Sequence, residues 1–132
     1  MEHAGSMVFK GNLSLENNGG FASTRTLSRI FQMDGYTGLI LRMKGDGKTY
    51  QMRLRSDDRF DGISYRLPFA TQVGVWSEVK LPFSGFIPVF RGRIQSNVPP
   101  VVPGDIQQIG FLIADKQAGD FHLEIDWIQA YK

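Results

Sequence analysis

Residues 38–55 read GLILRMKGDGKTYQMRLR, and no other stretch constrains the fold as much. Apolar and polar residues alternate on both sides of Gly45-Asp46-Gly47, with the period of a half-buried β-strand. An Asp-Gly pair between two such runs is the strongest short-range hairpin signal, because a type I′ turn needs positive φ at both central residues. With Asp46 and Gly47 in the turn, the expected register sets Met43 opposite Tyr50, Leu41 opposite Met52 and Leu39 opposite Leu54. On the other face Lys44 meets Thr49, Arg42 meets Gln51 and Ile40 meets Arg53. A one-residue slip would oppose Lys44 to Lys48 and mix the faces, which disfavours it. The expectation is a paired unit with one apolar face on a core and one basic face.

The rest of the chain has the same period. Residues 7–15 (MVFKGNLSL) carry Phe9, Leu13 and Leu15 in a weak alternation, and residues 21–27 (FASTRTL) are β-prone, with an Asn-Asn-Gly-Gly turn cluster between them. In residues 63–71 (ISYRLPFAT), Ile63, Tyr65, Leu67 and Phe69 oppose Ser64, Arg66 and Pro68. Pro68 cannot donate to a ladder, so this strand is an edge there or bulged. In VWSEVKLPF, Trp76, Glu78 and Lys80 oppose Val75, Val79 and Leu81, and Pro82 ends the strand. Residues 86–103 (FIPVFRGRIQSNVPPVVP) read as a long irregular segment, of the kind that is functional or mobile. Its apolar residues either cap the core or form an interaction patch.

IQQIGFLIA, residues 106–114, is apolar on both faces from Ile109 onward, as in a central buried strand. In FHLEIDWI, residues 121–128, Phe121, Leu123, Ile125 and Trp127 point one way and His122, Glu124 and Asp126 the other. About eight short strands separated by turns, with almost no helical period, indicate an all-β antiparallel sandwich or barrel.

The 132 residues suffice for one core, with residues 1–7 (MEHAGSM) read as a leader or cloning remnant and 8–132 as a single domain. A formal charge of +2 with no Lys/Arg block argues against nucleic acid. No apolar run is long enough to span a membrane. The lack of a secretory signal suggests a cytosolic protein.

Catalytic chemistry finds few residues to use. There is no cysteine, which excludes disulfides, thiol catalysis and cysteine zinc sites. The two histidines are His3, in the leader, and His122, which alternation places on a sheet surface. Asp57, Asp58 and Asp61 share a loop but lack the spacing of a calcium-loop motif and read as a solvated turn. Gly45-Asp46-Gly47 has no helix after it, so it does not make a phosphate site. No cofactor and no metal are expected.

The basic sheet face is the better signal. Arg42, Arg53 and Arg66 fall at non-core positions of adjacent or nearby strands, with Gln51 between them, and Glu124 and Asp126 offer the opposite charge on the last strand. Two readings are open. One is a solvated wall of surface ion pairs, worth little each. The other is a polar groove for a sugar or a protein partner, since planar guanidinium groups suit bidentate recognition.

Taken together, LSLENNGGFAS, RMKGDGKTYQMRLR, WSEVKLPF with Phe86-Ile87-Pro88, Arg91-Gly92-Arg93 and IGFLIADKQAGDFHLEIDWIQAY resemble the complex I intermediate-associated protein family. The resemblance covers residues 9–131. It implies a galactose-binding-like β-sandwich of jelly-roll type, related to carbohydrate-binding modules, and a non-catalytic role in assembly with no catalytic residues to carry over. Family members usually begin earlier, with a further strand and an Asp-x-Val-Met-Gly-Gly-like segment, whereas here only MEHAGSM precedes Val8. That departure implies an unpaired sheet edge, covered by the leader or paired with a second copy as a homodimer.

The resulting expectation is a non-enzymatic binding or assembly module. It would engage a protein partner through Arg42, Gln51, Arg53, Arg66, Glu124 and Asp126. The alternative is a carbohydrate-binding module on the same polar face, with Tyr65 or Trp76 as its aromatic platform.

Overall fold

The computed structural model describes residues 7–13, 22–25, 31–56, 62–91, 93–114, 117 and 119–132. Among these residues ten strands form two antiparallel sheets. The four-stranded sheet has the order β1 (Met7–Leu13), β10 (Gly119–Tyr131), β3 (Gly38–Lys44), β6 (Trp76–Pro82). The six-stranded sheet runs β2 (Ala22–Arg25), β9 (Gln108–Ile113), β4 (Thr49–Arg55), β5 (Ser64–Ala70), β7 (Ile87–Phe90), β8 (Arg93–Ile94). The all-β antiparallel sandwich expected from the strand pattern is therefore the observed architecture.

The stretch that suggested a hairpin is instead a corner. β3 lies in the four-stranded sheet between β10 and β6, while β4 lies in the six-stranded sheet between β9 and β5. Leu39, Leu41 and Met43 do face the core, as do Tyr50, Met52 and Leu54. They do so from opposite walls, so the expected pairs such as Met43 with Tyr50 are not strand partners. The physical reason lies in residues 45–48. Sheets pack ~10 Å apart, and four residues span that gap where a two-residue turn would not. Gly47 has φ +90°, whereas Asp46 is not in the left-handed region that a type I′ turn requires.

The corner is held from outside the hairpin register. Thr71 Oγ donates to Lys48 O at 2.7 Å and accepts the Gly47 N–H at 3.1 Å. Gly74 N–H donates to Gly45 O at 3.1 Å, beside a parallel bridge between Gly45 and Val73.

Three further expectations are refined. Pro68 pairs across from Gln51, and β7 covers β5 only from Ser64 to Arg66, so β5 is an edge where the proline stands. The segment 86–103 is not irregular throughout: it contains β7 and β8, which extend the six-stranded sheet. Its apolar residues divide, with Phe86 and Val101 in the core and Ile87, Phe90, Ile94 and Val102 exposed.

β10 keeps the expected phase only to Ile125. The ladder to β3 shifts between Ile125, opposite Met43, and Trp127, opposite Arg42. This β-bulge adds a residue and reverses the phase, so Ile128 and Ala130 are buried and Trp127 is not a core residue. β1 pairs with β10 alone among the described residues and forms one edge of its sheet. Among the described residues no helix is long and apolar enough to cross a membrane.

Candidate functional site

Because the two strands of the corner belong to different sheets, the residues expected on one basic face are divided between opposite sides of the sandwich. Arg42, Glu124 and Asp126 lie on the outer face of the four-stranded sheet. Gln51, Arg53 and Arg66 lie on the outer face of the six-stranded sheet. The expectation of a single face is thus overturned, since alternation shows which residues avoid the core but not which wall they stand on.

On the four-stranded face Arg42 and Lys44 are paired with carboxylates. Arg42 Nε donates to Asp126 Oδ2 at 3.1 Å, and its Nη1 lies 3.6 Å from Glu78. The bulge in β10 brings Asp126 into this position next to Arg42. Lys44 Nζ is 3.0 Å from Glu124, which His122 also approaches at 3.5 Å. Lys44 and then His122 hold the Glu124 carboxyl below its usual range, against a smaller opposing effect of burial. Trp76, 40% exposed on edge strand β6, lies under Arg42 Cζ at 5.4 Å and Lys44 Nζ at 5.0 Å. A shallow groove runs between Trp76 and Met7/Val8 over Glu124 and Asp126. His122 is exposed and forms no catalytic array. Its backbone N–H donates to Asp46 Oδ2 at 2.8 Å.

The six-stranded face is different. Arg53 and Arg66 are directly opposed on β4 and β5. Arg53 donates to neutral acceptors: Nε and Nη2 to Gln51 Oε1 at 3.0 and 2.8 Å, and Nη1 to Ser64 Oγ at 2.9 Å. Gln51 and Ser64 are themselves buried. Burial, then the charges of Arg66 and Arg55, lower the Arg53 guanidinium to about 10, so it remains protonated at neutral pH. Arg66 Nε is buried without a hydrogen-bond partner. On the neighbouring strand, Gln108 Oε1 is also buried and unpaired, opposite Arg55. Gly110 stands opposite Arg53.

Sequence reasoning missed Gln108, and it set Ser64 on the outward side of its strand and Ile87 in a possible apolar patch without joining either to the arginines. The β5–β7 pairing is what sets Ile87 beside Arg66. Of the proposed aromatic platforms, Tyr65 points into the core with its hydroxyl bonded to Pro99 O, and Trp76 stands on the opposite sheet. Asp57, Asp58 and Asp61 lie outside the described residues. Among the described residues no group of acidic or histidine side chains is placed to hold a metal.

The fold is similar to the family 11 carbohydrate-binding module of the cellulosomal cellulase Lic26A-Cel5E of Clostridium thermocellum. The TM-score is 0.61 at 14% identity, over 95% of this chain and 85% of that one. The same module in complex with a β-1,3-1,4-mixed-linked tetrasaccharide matches with a TM-score of 0.57 at 15% identity, over 95% and 86%. At such identity the likeness shows the sandwich and nothing about a ligand.

Sequence relatives are more specific. A probable complex I intermediate-associated protein 30 of Caenorhabditis elegans is 33% identical over 146 residues, 96% of this chain and 43% of that protein. The mouse protein of that name is 37% identical over 100 residues, 73% of this chain and 30% of that one. The chain therefore spans less than half the length of these curated relatives. Both relatives are named as mitochondrial, as is a Drosophila melanogaster relative at 27% identity. This overturns the expectation of a cytosolic protein, which rested only on a missing secretory signal and had no positive feature behind it. The model of the Complex I intermediate-associated protein 30 (CIA30) family matches residues 1–125, and the chain belongs to that family.

Proposed function

We propose that this chain is a non-catalytic assembly module that binds protein partners through the outer face of its six-stranded sheet. One observation carries the choice of face. Arg42 and Lys44 on the other sheet are neutralised by Asp126, Glu78 and Glu124, while Arg53 and Arg66 oppose each other with no carboxylate partner among the described residues. Arg42 and Lys44, already paired with carboxylates, have little left to offer a partner. An unneutralised arginine pair keeps its donors for one, and arginine is enriched where interfaces concentrate their energy.

The names of the relatives support a role in assembly. The carbohydrate alternative gains no support from this face. The described residues place no aromatic ring there on which a sugar would stack. Trp76 is across the molecule with two cations above its ring.

Affinity capture from an extract of the source tests the proposal with three forms of the chain. Wild type and Arg42→Ala should retain the same proteins, including subunits of respiratory complex I, and Arg53→Ala/Arg66→Ala should lose them. Capture that is indifferent to Arg53 and Arg66 would overturn it.

A further inference from the structure

We infer that the Arg53/Arg66 face is a carboxylate-recognition site for an extended acidic segment of a partner protein, with an apolar residue of that segment resting on Ile87 and Ile94. The inference rests on the protein-binding reading above and adds the chemistry of what is bound.

The donors define an anion. Opposed residues of an antiparallel pair have their Cβ atoms ~4.5–5.5 Å apart, and like charges so placed destabilise the sheet. Arg53 and Arg66 stand in that relation. A guanidinium has five N–H donors in a fixed fork. Arg53 uses three of them on Gln51 and Ser64, which hold the group still without neutralising it. Arg66 Nε is buried and unpaired. A carboxylate between the two groups would satisfy that donor and remove the repulsion, and planar guanidinium matches it in bidentate fashion.

Two further features favour a peptide over a free ion. Gln108, 7% exposed, has an Oε1 that lacks a donor. It lies two strands across and two residues along from Arg66, about 12 Å at the usual strand spacing and rise. One small anion cannot reach both, and an anion has no donor to give to Gln108. A peptide supplies a carboxylate at one point and a backbone N–H at the other. On the far side, Ile87 is the cross-strand partner of Arg66 and is 41% exposed. Ile94 is opposite Val89 on the same face and is 59% exposed. Exposed apolar side chains next to unneutralised arginines suit an acidic residue with an apolar neighbour.

The test reads the arginine Nε–Hε resonances of the folded chain by NMR. The probes are acetyl-Leu-Glu-Leu-Glu-Leu-amide, its Glu→Gln counterpart and inorganic phosphate. The acidic peptide should shift Arg53 and Arg66 saturably and leave Arg42 unmoved. Arg66→Gln should weaken it at least tenfold, as should the Glu→Gln peptide, and Ile87→Ser/Ile94→Ser should weaken it severalfold. No shift at millimolar acidic peptide would overturn the inference. So would equal binding of the Glu→Gln peptide, or phosphate binding as tightly as the acidic peptide, which would indicate a free-anion site. If the peptide fails while capture still depends on Arg53 and Arg66, this inference falls and the protein-binding reading stands. If the peptide binds while capture ignores the arginines, the carboxylate chemistry of the face stands and its use for a protein partner falls.

Discussion

The hydroxyl of Tyr50 lies 3.0 Å from each carboxylate oxygen of Asp46. Tyr50 projects into the core from β4, and Asp46 sits in the corner between the sheets. The same carboxylate accepts the Lys48 N–H at 3.1 Å and the His122 N–H of β10 at 2.8 Å. One side chain therefore ties the corner, the core and the other sheet together. Hydrogen bonds to charged groups are worth about 1.5–3 kcal/mol each. Tyr50→Phe should lower unfolding stability in urea at neutral pH by about that amount, and an unchanged midpoint would show that the bond contributes nothing net.

The same bond predicts an alkaline response. Burial first, then the Asp46 hydrogen bond and charge, raise the phenol well above its ordinary value of 10.0. The folded state holds the proton more tightly than the unfolded state. Its contribution is complete below the ordinary value and is lost as pH rises above it. Urea midpoints should fall as pH rises above ~10, and Tyr50→Phe should show less of that fall.

Glu124 gives the opposite sign. Its folded pKa is lowered from 4.5, chiefly by Lys44. The stabilisation is present above that ordinary value and is lost as pH falls through the folded one. The Glu124 carboxyl carbon should titrate below 4.5 by NMR, and Lys44→Met should move its midpoint upward. A midpoint that ignores Lys44 would mean the 3.0 Å pair is not held in solution.

Gly45 is needed for space. A Cβ there would overlap the Thr71 side chain, which is bonded to both Lys48 and Gly47. Overpacking of this kind costs about 1–3 kcal/mol. Thermal or urea unfolding of Gly45→Ala should show that loss, and a neutral effect would mean the Thr71 clamp yields freely.

The two arginine environments should part in stability as well as in binding. Exposed ion pairs contribute about 0–1 kcal/mol, so Arg42→Ala should cost less than about 1 kcal/mol. Arg66→Met removes a like charge and an unpaired buried donor, so it should stabilise by about 0.5–2 kcal/mol while abolishing partner binding. Marked destabilisation would show that Arg66 is satisfied as it stands.

How much of this was legible follows from what alternation encodes. It separates core from surface within a strand, so the faces of β5, β6 and the first half of β10 were readable. It does not say which sheet a strand joins. Leu39–Met43 and Tyr50–Leu54 would alternate identically in a hairpin and across a corner. The bulge at Asp126 was hidden too, since Trp127 continued the apolar phase and only the ladder to Arg42 shows the shift. The candidate site inherited both errors. Its residues were identified as outward-facing, but Arg42 was grouped with arginines on the far side.

The corner has a consequence for how the chain comes to be folded. β9 is inserted between β2 and β4, and β10 between β1 and β3. Until residues 108–131 are available, β1 and β2 have no described neighbour and only β3 with β6 and β4 with β5 and β7–β8 can pair. A chain that emerges from its N-terminal end carries several open strand edges until residues 108–131 arrive. Open edges recruit other chains, and pairing between distant segments is slow.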